Sequence, residues 1–411
     1  MCSSDLENLS KLLGHLPPAV FHEFMAEEFS LTMPDLDAKK PKKEQREQME
    51  AVLSALGVGE RQRIEEVAER IVLLSDGAGQ DVIDGFKDDI FDDAARETFA
   101  AIPNQYERAL WLHVNEPVIF EEALNARQAD VFRQSASCYS GFMAPANLAV
   151  LDDATAKAAF HQTVAQQLGC SDDAVAIQIF KRLRPDTQTG EDVDLYQISI
   201  HHNRPPEIID CVQASELVPQ EVIRAVSSHI TYEPANGHLE VLSKDTAGRE
   251  ALARIVADSL LQSPITGEKI PLKQYDYQSL AALRNFDLSG ESVAFVKVVE
   301  LGYAAGNGRS LLVKIWTKDV DDIYAAARSL IGPAFDFRDH HLNYAKLSIK
   351  LKKVGKDRAR TITVILRDDN KCNIKTKREK DRALCDRLLA KWHLVKEIGD
   401  VDEAPADAVA A

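Results

Sequence analysis

Between Pro333 and Tyr344 the chain reads PAFDFRDHHLNY, which packs Asp336, Asp339, His340 and His341 into six residues. Carboxylate oxygens and imidazole nitrogens together suit the divalent cations of hydrolases and nucleases. On a helix, Asp336, Asp339 and His340 would share one face. Pro333 and the surrounding Gly and Phe point instead to a connector, and no other stretch offers a matching ligand cluster. These three residues are the metal candidates of a sequence that otherwise implies no metal and no cofactor.

Other reactive residue types are scattered. ISIHHN places His201 and His202 at a strand end, where neighbours face opposite ways, one buried or capped and the other solvated. SASCYSGF offers Cys138 and Ser140 as nucleophiles without a local base. Gly302, Gly306 and Gly308 resemble a phosphate loop, but they join two predicted strands and no helix follows to hold an anion. The acids of FKDDIFDDAARE read as a solvated, helix-capping face. No Walker motif, nucleophile elbow, HExxH motif, calcium loop or cysteine zinc spacing occurs.

Phosphate-binding chemistry is concentrated near the C-terminal end. From Leu342 to Lys396 there are seventeen Lys/Arg against six Asp/Glu, a net of +11 in a chain of −16, which leaves −27 elsewhere. In YAKLSIKLKK, Leu347, Ile349 and Leu351 alternate with Lys346, Lys350 and Lys352. A period of two puts the apolar set on one face of a strand and the lysines, with Ser348, on the other. RTITVIL adds Thr361, Thr363 and Arg367 opposite Ile362, Val364 and Leu366. Lys353, Lys356, Arg358 and Arg360 belong to the intervening turn. These bases are expected to form a phosphate-contacting surface that needs no base-specific contact. Aromatic interleaving looks thin in sequence, with Tyr344 at the edge and Trp392 in an apolar helical stripe, so duplex is the favoured form. The same lysines would also serve to dock on an acidic protein surface or to protect an exposed strand.

These residues need a framework. Residues 1–170 show apolar spacings of three and four, as at Met49, Val52, Leu53 and Leu56, and are expected to be all-helical. Residues 171–335 are expected to form an α+β domain of repeated strand–turn–strand–helix units. Residues 336–398 are expected to form a basic unit of the same kind, and 399–411 a disordered acidic tail. The expected fold is α+β: a helical N-terminal region, then antiparallel sheet with helices on one face. VPQEVIRAVSSH reads as a helix, and Asn236-Gly237 as a hairpin turn with positive φ at both residues. The phrases VLSKDTAGRE and IWTKDVDDIY share a Ser/Thr-Lys-Asp joint between strand and helix. Asp319, with Asp322 three residues on, and Asp245 or Thr246 would cap the helices that follow.

A chain of 411 residues predicts two or three domains. Its 45% hydrophobic and 28% charged composition is that of a globular protein, and no apolar run is long enough for a membrane span. Six scattered cysteines and an N-terminal sequence unlike a secretory signal predict a cytoplasmic location. The expected function is that of a non-enzymatic binding or regulatory protein, its basic unit on nucleic-acid backbone and its helical part on a protein partner or a second copy. The alternatives are a protein–protein scaffold and a metal-dependent hydrolase or nuclease.

Overall fold

A computed structural model of the chain describes residues 6–34, 40–86, 93–133, 135–185, 191–213, 215–267, 270, 272–304, 310–318, 321–353, 360–368 and 371–398. It is a mixed α+β structure with a helical N-terminal region followed by antiparallel sheets with helices. None of the described helices is long and apolar enough to cross a membrane.

The chain divides into two compact units. The first is Met1–Ser140, Ala146–Arg184 and Asp194–Pro264, and the second is Gly141–Pro145, Pro185–Val193 and Ile265–Ala411. These divisions differ from the expected boundaries after 170 and 335. The second of those boundaries would cut through one sheet, because strands on either side of it are hydrogen-bonded to each other.

The first unit opens with helices α1 (Glu7–His15), α2 (Pro18–Phe29), α3 (Lys42–Ala55), α4 (Val58–Leu74), α5 (Gly77–Asp84), α6 (Asp93–Ala101), α7 (Gln105–Asn115) and α8 (Pro117–Arg133). Their apolar faces meet in one core that contains Met49, Leu53, Ile64 and Ile71. The all-helical expectation fails at β1 (Tyr139–Met143), where the small and aromatic residues of SASCYSGF form an edge strand rather than a reactive loop. Helix α9 (Ala154–Leu168) follows, capped by Asp153 at its start and by left-handed Gly169 at its end. Strands β2 (Val175–Pro185), β3 (Asp192–Asn203), β4 (Glu207–Gln213), β5 (Glu216–Val222), β6 (Ala225–Glu233) and β7 (His238–Leu242) then precede α10 (Arg249–Val256). One sheet has the order β1-β7-β6-β3-β2, and β4 and β5 form a separate ribbon.

VPQEVIRAVSSH is therefore strand, not helix. Val218, Val222 and Val226 imitate a helical stripe, but the chain spends them in β5 and β6, with Pro219 opposite Asp210 in the ribbon. The Asn236-Gly237 turn is real but longer than a two-residue hairpin. Glu233 pairs with His238, and of the two turn residues only Gly237 has positive φ. Asn236 instead accepts a hydrogen bond from the His238 amide, which fits a four-residue loop.

The second unit contains β8 (Leu272–Tyr275), β9 (Val293–Ala304), β10 (Ser310–Lys314), α11 (Ile323–Ile331), β11 (His341–Leu351), β12 (Thr361–Arg367), β13 (Lys371–Cys372), α12 (Glu379–Lys391) and β14 (Val395–Ile398). Its main sheet has the order β10-β9-β11-β12-β13, and β14 pairs with β8. Leu301, Ala345, Leu347, Ile349, Val364 and Leu366 are fully buried, in one cluster with Ile323 and Ala327 of α11 and Cys385, Leu388 and Leu389 of α12. The helices thus cover the apolar face of this sheet.

Both helix-capping expectations shift by a few residues. Asp322, not Asp319, caps α11, accepting from the Ala325 amide at 2.7 Å, while Asp319 lies outside the described residues. Helix α10 begins only at Arg249, preceded by Gly248 without a side-chain cap, and Asp245 closes the turn before it by accepting from Ala247. In each case the chain needs extra residues to leave the sheet before the helix can start. Asp322→Ala is expected to lower stability by about 1 kcal/mol, read from the urea midpoint, because an orphan amide loses its partner.

Candidate nucleic-acid interface

Strand pairing decides which side chains share the face opposite the helices. Lys346 lies across from Glu300 of β9 and Ile365 of β12; Ser348 lies across from Lys297 and Thr363; Lys350 lies across from Phe295 and Thr361. Tyr344 pairs with Gly302 and Arg367, and Lys314 of β10 pairs with Glu300. A bulge between Lys346 and Leu347, opposite Glu300 and Val298, keeps this phase, since Val298 and Val299 both turn into the core. One face therefore carries Lys297, Lys314, Lys346, Lys350 and Arg367, with Glu300 between Lys314 and Lys346.

Glu300 is only 5% exposed. Lys346 donates to its Oε1 at 3.0 Å and Tyr344 to its Oε2 at 2.9 Å, while Lys314 Nζ stands 3.3 Å from Oε1. Burial pushes this carboxyl up, but the hydrogen bonds from Lys346, Tyr344 and Lys314 outweigh it and hold the group below the ordinary carboxylate range. Lys346 is thus an anchored cation. Gly302 makes room for this arrangement: a Cβ there would come within 3.0 Å of Tyr344 Cβ and 2.9 Å of Asn343 Oδ1. Gly302 is a strand residue, and Gly306 and Gly308 lie outside the described residues.

Aromatic rings interleave these cations. Lys350 Nζ is 5.6 Å from the Phe295 ring centroid, Lys314 Nζ is 5.2 Å from that of Trp316, and the Arg367 guanidinium is 5.4 Å from that of Tyr344. Phe295 is 37% exposed and Trp316 64%. The turn after β10 passes over the middle of the sheet, where Thr317 Oγ1 meets Ser348 Oγ at 3.3 Å and buries it.

The remaining predicted bases take other places. Lys352 donates to the Glu291 carbonyl at 3.2 Å, and Lys353 is exposed. Lys356 and Arg358 lie outside the described residues. Arg360 is turned toward α12, where it makes two hydrogen bonds to Asp381, at 2.9 and 2.6 Å. On that helical side the cations have acids: Arg378 with Asp381, Arg382 with Glu379, Arg387 with Glu291 and Lys391 with Asp287.

The metal candidates are used as a turn. Asp336 accepts from the Arg338 amide and guanidinium, which holds its carboxyl at about 2. His340 is stacked on Tyr303 at 4.4 Å and on Phe335 at 5.3 Å. Among the described residues, no group of three or more His, Cys, Asp or Glu could hold a metal ion. Cys138 is buried, and Ser140 accepts from Arg249 at 3.3 Å. His201 is half-buried and bonded to Ser227 at 2.9 Å. His202, beside it, is also half-buried. Residues 87–92 of the acidic stretch and the tail 399–411 lie outside the described residues.

Sequence pattern put the lysines of β11 on one strand face but did not join to them Phe295, Lys297 and Glu300, about fifty residues earlier in β9, or Lys314 and Trp316, about thirty residues earlier in and just after β10. An alternation signal exists in VAFVKVVE, but the bulge hides its continuation. No protein-family model matches the chain, and no curated protein sequence is similar to it.

Proposed function

We propose that the sheet face of the second unit opposite the helices contacts the phosphate backbone of nucleic acid, in a binding or regulatory protein rather than an enzyme. One observation supports this reading above the rest: the division of charge within the unit. On the helical side, Arg360, Arg378, Arg382, Arg387 and Lys391 each have a carboxylate within 4 Å. On the sheet face, Lys314 and Lys346 both bond the single carboxylate of Glu300, while Lys350 and Arg367 lie over the rings of Phe295 and Tyr344. A surplus of this kind attracts a polyanion and releases its counterions.

The test is binding of full-length protein to labelled 20-nucleotide DNA and RNA, single-stranded and duplex, across a salt series. It is run beside a variant in which Lys314, Lys350 and Arg367 are changed to Glu. Binding should weaken steeply with salt, and the variant should lose it. If up to three phosphate contacts are removed, the slope of log K against log salt falls by roughly two to three. Absence of binding to any of these nucleic acids at about 50 mM salt would remove this reading and leave an acidic protein surface as the partner to seek.

A further inference from the structure

We infer that the ligand of this face is single-stranded nucleic acid, whose bases stack on Phe295, Tyr344 and Trp316 while Lys350, Arg367 and Lys314 hold the adjoining phosphates. This inference rests on the proposed backbone contact and narrows it from nucleic acid in general to one form.

The argument is one of matching units. A nucleotide in a single strand offers a flat base and, beside it, a charged phosphate. The sheet face offers a ring with a cation within 6 Å of it, three times: Phe295 with Lys350, Tyr344 with Arg367, and Trp316 with Lys314. A duplex hides its base faces in the stack, so it would meet the cations and leave the rings unused. Unstacked bases, by contrast, lie on aromatic side chains and on arginine planes. Arg367, over Tyr344, presents such a plane beside the ring.

Spacing supports several nucleotides rather than one. Phe295 faces Lys350, and Tyr344 lies six residues away along the same strand, roughly 20 Å at about 3.3 Å per residue. Trp316 adds a third position next to Thr317, whose hydroxyl meets Ser348 between those two. The rings are also poor candidates for an unused core. Trp316 and Phe295 are exposed, although this sheet has a complete apolar face on its other side. An acidic protein surface would need the cations but would gain nothing specific from flat rings beside them. The expectation of duplex came from the spacing within β11 and α12 alone; pairing with β9 and β10 brings in the rings that expectation lacked.

The test keeps the charges and removes the rings. Phe295→Leu, Trp316→Leu and the double variant are compared with wild type for binding to labelled oligo(dT), oligo(U) and a hairpin duplex of equal phosphate number, at matched salt. Both rings are exposed, and unchanged circular dichroism and melting confirm folding. Wild type should prefer the single strands. Each ring substitution should weaken single-strand binding by about fivefold or more, leave the salt slope unchanged, and barely affect the duplex. Tryptophan emission should be quenched by oligo(dT) in wild type and not in Trp316→Leu. Equal affinity for duplex and single strand, with no effect of the ring variants, would overturn the inference while the backbone reading stands. Absence of binding to every nucleic acid would overturn both. Equally tight, ring-independent binding of poly-glutamate would show a general polyanion surface and also overturn it.

Discussion

Removal of the Glu300 carboxylate is expected to weaken the fold and to tighten the proposed binding of nucleic acid in the same protein. Glu300→Ala should lower stability by about 2–3 kcal/mol in urea unfolding. Breaking a fully buried ion pair costs about 3–5 kcal/mol, and Lys314 and Lys346 keep part of their hydration here. The loss is not of attraction alone. Lys346 and the Tyr344 hydroxyl both donate to this carboxylate, and truncation leaves them to find partners at the edge of the core. Glu300→Gln, which keeps the shape and an acceptor, should cost less. The pH dependence follows from the sign of the shift. The carboxyl lies below its ordinary 4.5 in the folded protein. Its contribution is therefore complete above about pH 4.5 and is lost as pH falls through the folded value. The gap between wild type and Glu300→Ala should accordingly close in acid. Binding should move the other way. Without this carboxylate the sheet face gains a unit of positive charge and frees Lys346 and Lys314. Glu300→Gln should bind single strands more tightly at low salt and show a steeper salt slope. Weaker binding would mean that Glu300 is needed to hold the cations in position.

The way this face escaped sequence reading is instructive. Period two in YAKLSIKLKK is a local property, and it does place Lys346 and Lys350 opposite the buried Leu347 and Ile349. A site on a sheet, however, belongs to several strands at once. Lys350 acquires Phe295, and Lys346 acquires Glu300, through a register that depends on the bulge at Val298 and Val299. Nothing within either strand specifies that register. The helical N-terminal region was legible because helices satisfy their own backbone, and their spacing declares itself within a dozen residues. The same logic misread VPQEVIRAVSSH. Valines four apart fit a helix, but β4 supplied a partner strand, and Pro219 could be tolerated in a ribbon. Arg360 failed for a related reason. Its charge suited the basic turn, yet Asp381 of α12 was near enough to claim both guanidinium edges.

The first unit should become progressively less stable between pH 6.5 and pH 4, and His229 should account for a large part of that loss. His229 is fully buried on β6. Its Nδ1 is 2.9 Å from Ser199 Oγ, Phe132 packs edge-on at 5.5 Å, and Nε2 has no hydrogen-bond partner among the described residues. A protonated ring would need a second acceptor and would face the nearby His201 and Arg133. Burial first, then those two neighbours, lower its pKa from 6.5 to about 3. The unfolded chain takes up a proton near pH 6.5 that the folded chain refuses until near pH 3. More protons are bound unfolded than folded in that window, so stability rises with pH through it. The slope from one such residue is about 1.4 kcal/mol per pH unit. His113, His201 and His202 are also lowered, mainly by burial, and add to the same trend. A comparison with His229→Gln isolates the one residue, because glutamine can meet Ser199 but cannot titrate. At pH 7 the variant should be the less stable protein, by about 1–3 kcal/mol for the altered packing and hydrogen bond. Below pH 6.5 the difference should shrink by about 1.4 kcal/mol per unit and then reverse. Parallel curves for the two proteins would mean that His229 is protonated in the folded state as readily as in the unfolded chain, and that water or an acid reaches Nε2.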